Sequence, residues 1–482
     1  MVTKINISNS NSDKVISCTK DNRNTKLENP KEFKIVRASN IKRFLERWTA
    51  DPSFQSWVSA KPYEAINYHG LQVNLNEVEP LWEENSSKKN SELANIFTNL
   101  KQSSKQTESS KELKRLKSIA AASIEPHYKA WREQQISRTT SQFKKGVQDA
   151  IMHAPVSFEL SKGCSIGCWF CGVSAPRLGD IFLYNSENAQ LWREVLELMK
   201  ETLGQSAGAG FCYWASDPLD NPDYEKFCLD FYETFGLFPQ TTTAQPLKDI
   251  ARTRSLLKLS RERGCPLNRF SILSLNMLDR VHKEFSAKEL AFVNLVLQNK
   301  EAKKNKANSG RVRERNISRG EEDDEFPEQG TIACVSGFLF NMVDRSVKLI
   351  SPCNANERWP LGYITYDEGT FDDIDELKAL LERMIRDNMS LTIKPNDVIN
   401  FRRDLRYESF EDGFQLTTKF KTFKFKHDFS LRELGAIIHK GNRTAREIVS
   451  ILEQNNISSA FTNYYLNLMF EKGVLDDEPK LK

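Results

Sequence analysis

Three cysteines packed into eight residues constrain this chain more than any other feature of its sequence. Cys164, Cys168 and Cys171 stand in the stretch FELSKGCSIGCWFCG, at positions 158–172. The apolar run at 156–160, just before them, has the length and composition of a buried strand. Three closely spaced thiolates on a loop suit an iron–sulfur cluster, and three cysteine ligands leave one of four irons open. The sequence therefore predicts an iron–sulfur centre just after the first strand.

A zinc site or an inert group of thiols is the alternative interpretation of the triplet. Structural zinc needs four closed ligands, and the nearest further Cys or His in the sequence is His153. The chain has nine cysteines, an odd number at irregular spacing. That count argues against a disulfide framework and favours a metal-binding or catalytic role for the cluster.

Strand and helix patterns alternate from residue 155 onward. Strands are predicted at 156–160, 210–216, 238–243, 269–275, 331–335 and 346–350, and helices at about 187–203, 222–235 and 246–263. This alternation predicts an α/β fold with a parallel sheet, either open or curled into a barrel. The segment 300–330 has eight Lys or Arg and eight Asp or Glu in 31 positions, which predicts a flexible insertion.

The length and charge of the chain limit its organisation and its partners. A length of 482 residues suggests about three domains. We predict a disordered tail at 1–30, a helical region at 35–150, the α/β domain at 155–365, a helical connector at 366–400 and a small C-terminal domain at 401–478. The net charge of +4 argues against a dedicated nucleic-acid binder.

Segments that would direct the chain to a membrane or out of the cell are not visible in the sequence. No apolar run reaches the ~18 residues that a membrane span needs. The first thirty residues contain no apolar core of a signal peptide. We therefore expect a cytoplasmic protein without a membrane partner.

The spacing Cys-x3-Cys-x2-Cys, with the aromatic Phe170 before its last cysteine, resembles the signature of radical S-adenosylmethionine enzymes. The resemblance implies a partial (β/α)6 barrel and a [4Fe–4S] cluster on Cys164, Cys168 and Cys171. It also implies that S-adenosyl-L-methionine binds the open iron and is cleaved to a 5′-deoxyadenosyl radical.

The same resemblance implies further cofactor contacts at the ends of two predicted strands. Ser216 and Asp217 stand where the family places a carboxylate on the ammonium group of the cofactor, although the family's glycines are replaced here. Ser274 and Asn276 fit the position that contacts the ribose. As alternatives, Asp217 is a strand-end residue that caps the following helix, and Ser274 and Asn276 form a turn.

Two longer strings, GCSIGCWFCGVSAP and SPCNANERWPLGYITYDEG at 351–369, resemble the radical S-adenosylmethionine epimerases that mature ribosomally made peptides of the proteusin type. In that family a Cα hydrogen is removed from an L-residue and a cysteine thiol returns a hydrogen from the opposite face. The resemblance implies that Cys353 is this donor. Cys334 is our second choice, and a merely buried thiol is the alternative.

The C-terminal segment 416–477 resembles the small winged-helix domains that hold leader peptides in peptide-modifying enzymes. The resemblance lies in LTTKFKTFKF, ELGAIIHKGNRTAREIVSIL and YLNLMFEKGVL, and it implies that a leader adds a strand to an exposed sheet edge. Residues 401–482 contain 14 Lys or Arg and 12 Asp or Glu, which is far from the basic stripe of a DNA-binding domain. A packing domain without a ligand stays an alternative.

Together these features predict a peptide epimerase whose partners are a precursor peptide and an external electron donor such as flavodoxin or ferredoxin. Another radical modification of a peptide, such as carbon–carbon crosslinking, is the second hypothesis. A leader-binding scaffold with a vestigial cluster is the hypothesis without catalysis.

Overall fold

The computed structural model describes residues 30–82, 108–265, 268–302, 306–321 and 329–479. The predicted tail at 1–30 lies outside these residues except for its last position. Helices in the described part are α1 Pro30–Ala50, α2 Pro52–Ala60, α3 Pro62–Tyr68, α4 Leu75–Val78, α5 Glu108–Ala121, α6 Pro126–Gln142, α7 Lys145–Ala150, α8 Ser186–Leu203, α9 Tyr224–Phe235, α10 Ile250–Glu262, α11 Leu275–Glu284, α12 Arg311–Ser318, α13 Ile374–Asn388, α14 Phe429–Lys440, α15 Ala445–Gln454 and α16 Ser459–Glu471.

The strands form one central sheet and several smaller ones. Their bounds are β1 Ala154–Glu159, β2 Ser161–Lys162, β3 Asp180–Ile181, β4 Thr242–Thr243, β5 Asn268–Ile272, β6 Val293–Leu297, β7 Val335–Asn341, β8 Ser346–Pro352, β9 Tyr363–Thr370, β10 Val398–Ile399, β11 Arg406–Phe410, β12 Gly413–Thr417, β13 Thr422–Lys426 and β14 Arg443–Thr444. The central sheet has the order β1-β7-β8-β9. Strand β7 runs parallel to β1, and β8 and β9 continue from it as an antiparallel meander.

A second parallel sheet has the order β4-β5-β6. At the free edge of β1, Ser157 forms a single parallel bridge with Phe211, where the Phe158 amide donates to the Phe211 carbonyl over 3.0 Å. Two residues on, the Tyr213 hydroxyl hydrogen-bonds to the side chains of Gln240 and Thr242 at the start of β4. These strands thus follow one another in chain order, as the α/β prediction requires. The described strands do not close into a barrel.

Several predicted element bounds differ from the structure. The strand predicted at 210–216 is reduced to the bridge at Phe211 because side chains of β1 replace its ladder: the Ser157 hydroxyl donates to the Tyr213 carbonyl, and the Ala215 amide donates to the Glu159 carboxylate. The strand predicted at 331–335 lies at 335–341 instead. The predicted connector at 366–400 begins as the end of β9 and becomes helical only at Ile374.

The two faces of the central sheet carry different clusters. One face is covered by α6, α8, α9 and α13, and its apolar core includes Phe158, Phe338, Trp192 and Phe227. The opposite face, here called the open face, carries a smaller cluster that includes Phe211, Leu339, Ile350, Tyr213 and Trp214. Glu159 and Asn341 hydrogen-bond to each other at 3.1 Å at the carboxyl end of this face.

The C-terminal unit has its own core, formed by the meander β11-β12-β13 and by α14, α15 and α16. Helix α6 joins this unit to the central sheet. Its Gln134 and Ser137 side chains donate to the carbonyls of Phe470 and Lys472, while its Tyr128 packs in the core of the sheet. The two units therefore share one helix.

The charged segment 300–330 contains a helix where we predicted a flexible insertion. Residues 311–318 form α12, and Val312 and Arg313 of this helix are buried. Of the helices in the described ranges, none combines the length and the apolar character that crossing a membrane requires.

Candidate functional site

The cysteine loop, residues 163–176, starts four residues after β1 and is closed at its base by backbone contacts. The Cys164 amide donates to the Pro176 carbonyl over 3.0 Å, and β2 pairs with β3 across the same neck. Gly163 has φ +83°, and a side chain at this position would collide with the Arg177 carbonyl. Glycine is thus required here, and the closed neck directs the three cysteines into one tight loop.

The three thiols of the loop affect one another electrostatically. Burial raises the pKa of Cys168 to about 11, and the negative charges of Cys164 and Cys171 add to this shift. The pKa of Cys164 is raised by burial as well, with a smaller contribution from the charge of Asp217. The Cys171 sulfur accepts the Ala175 amide at 3.3 Å. All three cysteines are partly accessible, so a bound group can approach them.

The chemistry of these three thiols allows either a multinuclear cluster or a single ion with further ligands. Within the described ranges, no group of three or more His, Cys, Asp or Glu side chains is close enough to hold one metal ion. Ligands of one zinc ion all lie within about 2.3 Å of it, whereas cysteines of an iron–sulfur cluster bind separate irons and stand farther apart. Three partly exposed thiols on one closed loop fit the second arrangement.

Arg311 holds the cysteine loop from the outside. Its amide donates to the Cys171 carbonyl over 3.0 Å, and its guanidinium donates to the Cys168 carbonyl over 2.8 Å and to the Ala175 carbonyl. The neighbouring Gly310 donates its amide to the Pro360 carbonyl at 2.8 Å. No sequence pattern predicts this clamp, because Arg311 lies in the charged segment, which has no apolar periodicity.

Asp220 ties the cysteine loop to the second parallel sheet. Its fully buried carboxylate accepts the amide and hydroxyl of Ser165 at 3.0 and 2.6 Å, and the Gln245 side chain at 2.7 Å. Asp220 is not among the predicted site residues. The only local indication of its role is that it follows Asp217 as a second carboxylate in the short segment after Phe211.

Asp217 lies near the cysteine loop, but hydrogen bonds engage both of its oxygens. The carboxylate caps the following turn through the Leu219 amide and also accepts the Thr243 hydroxyl and the Ala244 amide, at 2.8 and 2.7 Å. Burial raises the pKa of Asp217. The capping role that we weighed as an alternative is therefore present. Its neighbour Ser216 is partly exposed.

The other predicted cofactor contacts lie at two places. Ser274 caps α11 by accepting the Met277 amide at 3.1 Å, and the nearby Asn276 is exposed. Both follow the carboxyl end of β5, as predicted. Phe170 lies on the cysteine loop beneath the Lys306 ammonium, 4.9 Å from the ring centre.

The two candidate hydrogen donors face opposite sides of the central sheet. Cys353 is 2% exposed and packs in the helix-covered core. Burial raises the pKa of its thiol, and the Arg138 charge only partly opposes that shift. Cys334 packs beside the open-face cluster, and burial raises its pKa to about 11. Both sulfurs are thus protonated thiols at neutral pH.

Three successive contacts connect the segment of Cys353 to the cysteine loop. The Cys353 amide donates to the Gly362 carbonyl at 3.0 Å, which also accepts the Thr331 hydroxyl. Ile332, next in the chain, packs so closely on Gly172 that a side chain on that glycine would collide with it. Cys353 is thus connected to the cysteine loop only indirectly, through three successive contacts.

Comparisons with known proteins give one full-length relative and one domain match. The chain is 37% identical over 450 residues to the uncharacterized protein y4wI of Sinorhizobium fredii (strain NBRC 101917 / NGR234), an alignment that covers 91% of this chain and 87% of the relative. A family model described as the protein y4wI C-terminal domain matches residues 399–473. No solved structure matches the chain.

Proposed function

The chain belongs to the family of protein y4wI, and we propose that it is a radical S-adenosylmethionine epimerase of ribosomally made peptides. The observation that carries the proposal is the loop closed at its base, which holds the partly accessible Cys164, Cys168 and Cys171. These residues would hold a [4Fe–4S] cluster. When bound, the cluster and S-adenosyl-L-methionine supply the radical that removes a Cα hydrogen from the substrate.

The residues around the loop bind and position rather than react. Arg311 and Asp220 fix the loop from two sides. Asp217 is near Cys164, and its hydrogen bonds orient it toward Thr243 and Ala244. In this proposal Ser216, Ser274, Asn276 and Phe170 line the remainder of the cofactor site. The described cysteines are free thiols, as the reducing cytoplasm would keep them.

Cys353 returns the hydrogen atom in the proposed reaction. Its raised pKa keeps the sulfur protonated, and a thiol can donate a hydrogen atom only while it carries one. The S–H bond breaks, a C–H bond forms at Cα, and a sulfur radical remains. An external one-electron donor such as flavodoxin or ferredoxin, together with a proton from water, restores the thiol. Cys334 is the second candidate for the same step.

The metal centre is tested first, by iron content. Anaerobic reconstitution of the wild type should give an iron–sulfur absorbance and about four irons per chain. Cys164→Ala, Cys168→Ala and Cys171→Ala should each lose most of the iron. Cys228→Ala, which makes the same change in α9, should keep it. Equal iron in all four variants would refute the assignment.

The reaction is tested in heavy water with candidate precursor peptides. Epimerisation should install deuterium at Cα of defined residues without changing the connectivity of the peptide, because thiol hydrogens exchange with solvent. Cys353→Ala should abolish deuterium incorporation while 5′-deoxyadenosine is still released. Cys334→Ala should incorporate deuterium like the wild type. The reverse result would assign the step to Cys334, and a net loss of hydrogen from the peptide would indicate crosslinking instead.

A further inference from the structure

A cavity of about 1140 Å³ opens between the end of α6, the loop after β8 and the C-terminal unit. We call it the junction cavity. Among its lining residues are Gln142, Asn354, Arg358, Val398 and Asp404. Its size is slightly above the usual range for ligand pockets, about 300–1,000 Å³. Asn354 follows Cys353 directly in the chain, so the cavity lies beside the proposed hydrogen donor.

Two buried amide groups in the junction cavity have their donors engaged and their acceptors free. The Gln142 side-chain nitrogen donates to the Asp404 carboxylate at 3.3 Å. The Asn354 side-chain nitrogen donates to the main-chain carbonyl of Gln142 at 2.9 Å. The oxygens Gln142 Oε1 and Asn354 Oδ1 accept no hydrogen bond from any described residue. The two residues are only 8% and 4% exposed.

Arg358 adds unused donors to the same cavity. One terminal nitrogen, Nη1, pairs with Glu478 at 3.2 Å. Its Nε and Nη2 atoms are buried and have no acceptor within the described part of the chain. A buried polar atom without a partner is energetically unfavourable. The cavity therefore suits a ligand that offers both N–H donors and carbonyl acceptors.

We propose that the junction cavity binds the main chain of the peptide substrate in an extended conformation, beside Cys353. An extended peptide presents one N–H donor and one carbonyl acceptor per residue, which complements the free oxygens and the Arg358 nitrogens. This inference rests on the proposed function and deepens it, because it assigns the path of the substrate.

The charges of the cavity select the kind of peptide. Its lining includes six carboxylates and only two arginines; the carboxylates belong to Glu357, Asp397, Asp404, Asp476, Asp477 and Glu478. Arg138 and Arg402, behind the lining, pair with Asp477, Glu478 and Asp404. Four arginines thus face six carboxylates, so an anionic ligand is still disfavoured. We infer that the bound segment is uncharged or cationic.

A smaller adjoining cavity indicates where the peptide enters. This space of about 430 Å³ shares Gln142, Asn354 and Asp404 with the junction cavity and extends to 417–420, at the end of β12. Strand β12 belongs to the C-terminal unit, the proposed leader-binding domain. A peptide held by its leader on that unit can thus extend from the smaller cavity into the junction cavity, next to the segment that carries Cys353.

Binding of two labelled model peptides tests the inference without any need for turnover. The probes are peptides of about ten residues with blocked termini and an uncharged BODIPY label, one of Gly, Ala and Asn and the other with Glu in place of Asn. At high protein concentration, fluorescence anisotropy of the wild type should show binding of the uncharged peptide and at least tenfold weaker binding of the Glu peptide. Equal binding of both peptides, or no binding of either, would overturn the inference.

Two variants localise the binding to the cavity. Val398→Trp should place a bulky ring in the path of the peptide without removing a side-chain hydrogen bond, and it should weaken binding of the uncharged peptide at least tenfold. Leu391→Trp, at an exposed position outside the lining, is the matched control and should bind like the wild type. Asn354→Leu removes a free acceptor and should weaken binding about tenfold, equivalent to the loss of one hydrogen bond. Unchanged affinity in Val398→Trp would overturn the inference.

Iron content and release of 5′-deoxyadenosine, measured on the same samples, separate this inference from the proposed function. Wild type that binds peptide but holds no iron would refute the enzyme and keep the cavity. Val398→Trp that binds peptide and installs deuterium like the wild type would keep the enzyme and refute the cavity.

Discussion

Glu159→Gln should make the protein more stable at alkaline pH. Glu159 ends β1 on the open face, where burial raises the pKa of its carboxyl to about 7, above its ordinary value of 4.5. The amide of Ala215 and the side chain of Asn341 oppose the shift by donating hydrogen bonds. Burial of the charged form outweighs them, so the folded protein prefers Glu159 protonated.

The sign and size of the effect follow from linkage. A folded pKa above the unfolded one gives stability that is complete below about pH 4.5 and is lost as the pH rises through 7. The wild type should therefore lose about 1 kcal/mol from this group by pH 5 and about 3 kcal/mol by pH 8. Gln is neutral at both pH values and keeps an acceptor for the Ala215 amide. The free energy of unfolding of Glu159→Gln, relative to wild type, should thus increase by about 2 kcal/mol between pH 5 and pH 8.

Urea unfolding at a series of pH values between 5 and 8, followed by tryptophan fluorescence, measures this difference. Glu197→Gln, on the exposed side of α8, is the matched control and should keep a constant offset from the wild type. An offset of Glu159→Gln that is also constant with pH, or that falls as the pH rises, would refute the reasoning.

Three further predictions concern other buried positions. Burial lowers the pKa of His153 to about 3, so its contribution to stability is present above about pH 6.5 and lost as the pH falls. The wild type should therefore lose about 2 kcal/mol of unfolding free energy between pH 8 and pH 5, and His153→Gln should not show this loss in urea titrations. Asp220→Asn removes the carboxylate that accepts two hydrogen bonds from Ser165 and should destabilise the cysteine loop by about 1–3 kcal/mol. The variant should lose iron to a chelator faster than the wild type, whereas Asp180→Asn, at an exposed position, should lose it at the wild-type rate. Gly435→Ala places a methyl group into the Phe414 ring and should destabilise the C-terminal unit by about 1–3 kcal/mol, measured as earlier proteolysis of that unit; an unchanged digestion rate would contradict the packing.

Local patterns predicted the elements of the fold that depend on short-range signals. Helix α8 was predicted at 187–203 and found at 186–203, because an Asn185 cap and an apolar stripe define it within the segment itself. The position of the cysteine loop after β1 was predicted for the same reason. The identity and role of any group bound there stay predictions that the proposed experiments test.

Contacts between distant segments could not be predicted from such patterns. Arg311 reaches the Cys168 carbonyl across 143 residues, and nothing in its charged surroundings marks it as a clamp. The face of Cys353, in contrast, had a local signal. Val347 and Leu349 point to the helix-covered core, and alternation along β8 carries the same orientation to position 353.

Helix α6 also has a consequence for synthesis of the chain on the ribosome. It buries mostly polar side chains, among them Gln134, Gln135, Arg138 and Gln142, and its Gln134 donates to a carbonyl 336 residues later. While the ribosome is still extending the chain, these partners do not exist. Because this face of the helix is polar, water can hydrogen-bond to its side chains until the partners are synthesised. An exposed apolar face would instead promote aggregation with other nascent chains. The helix can thus tolerate a long delay before its last partners arrive.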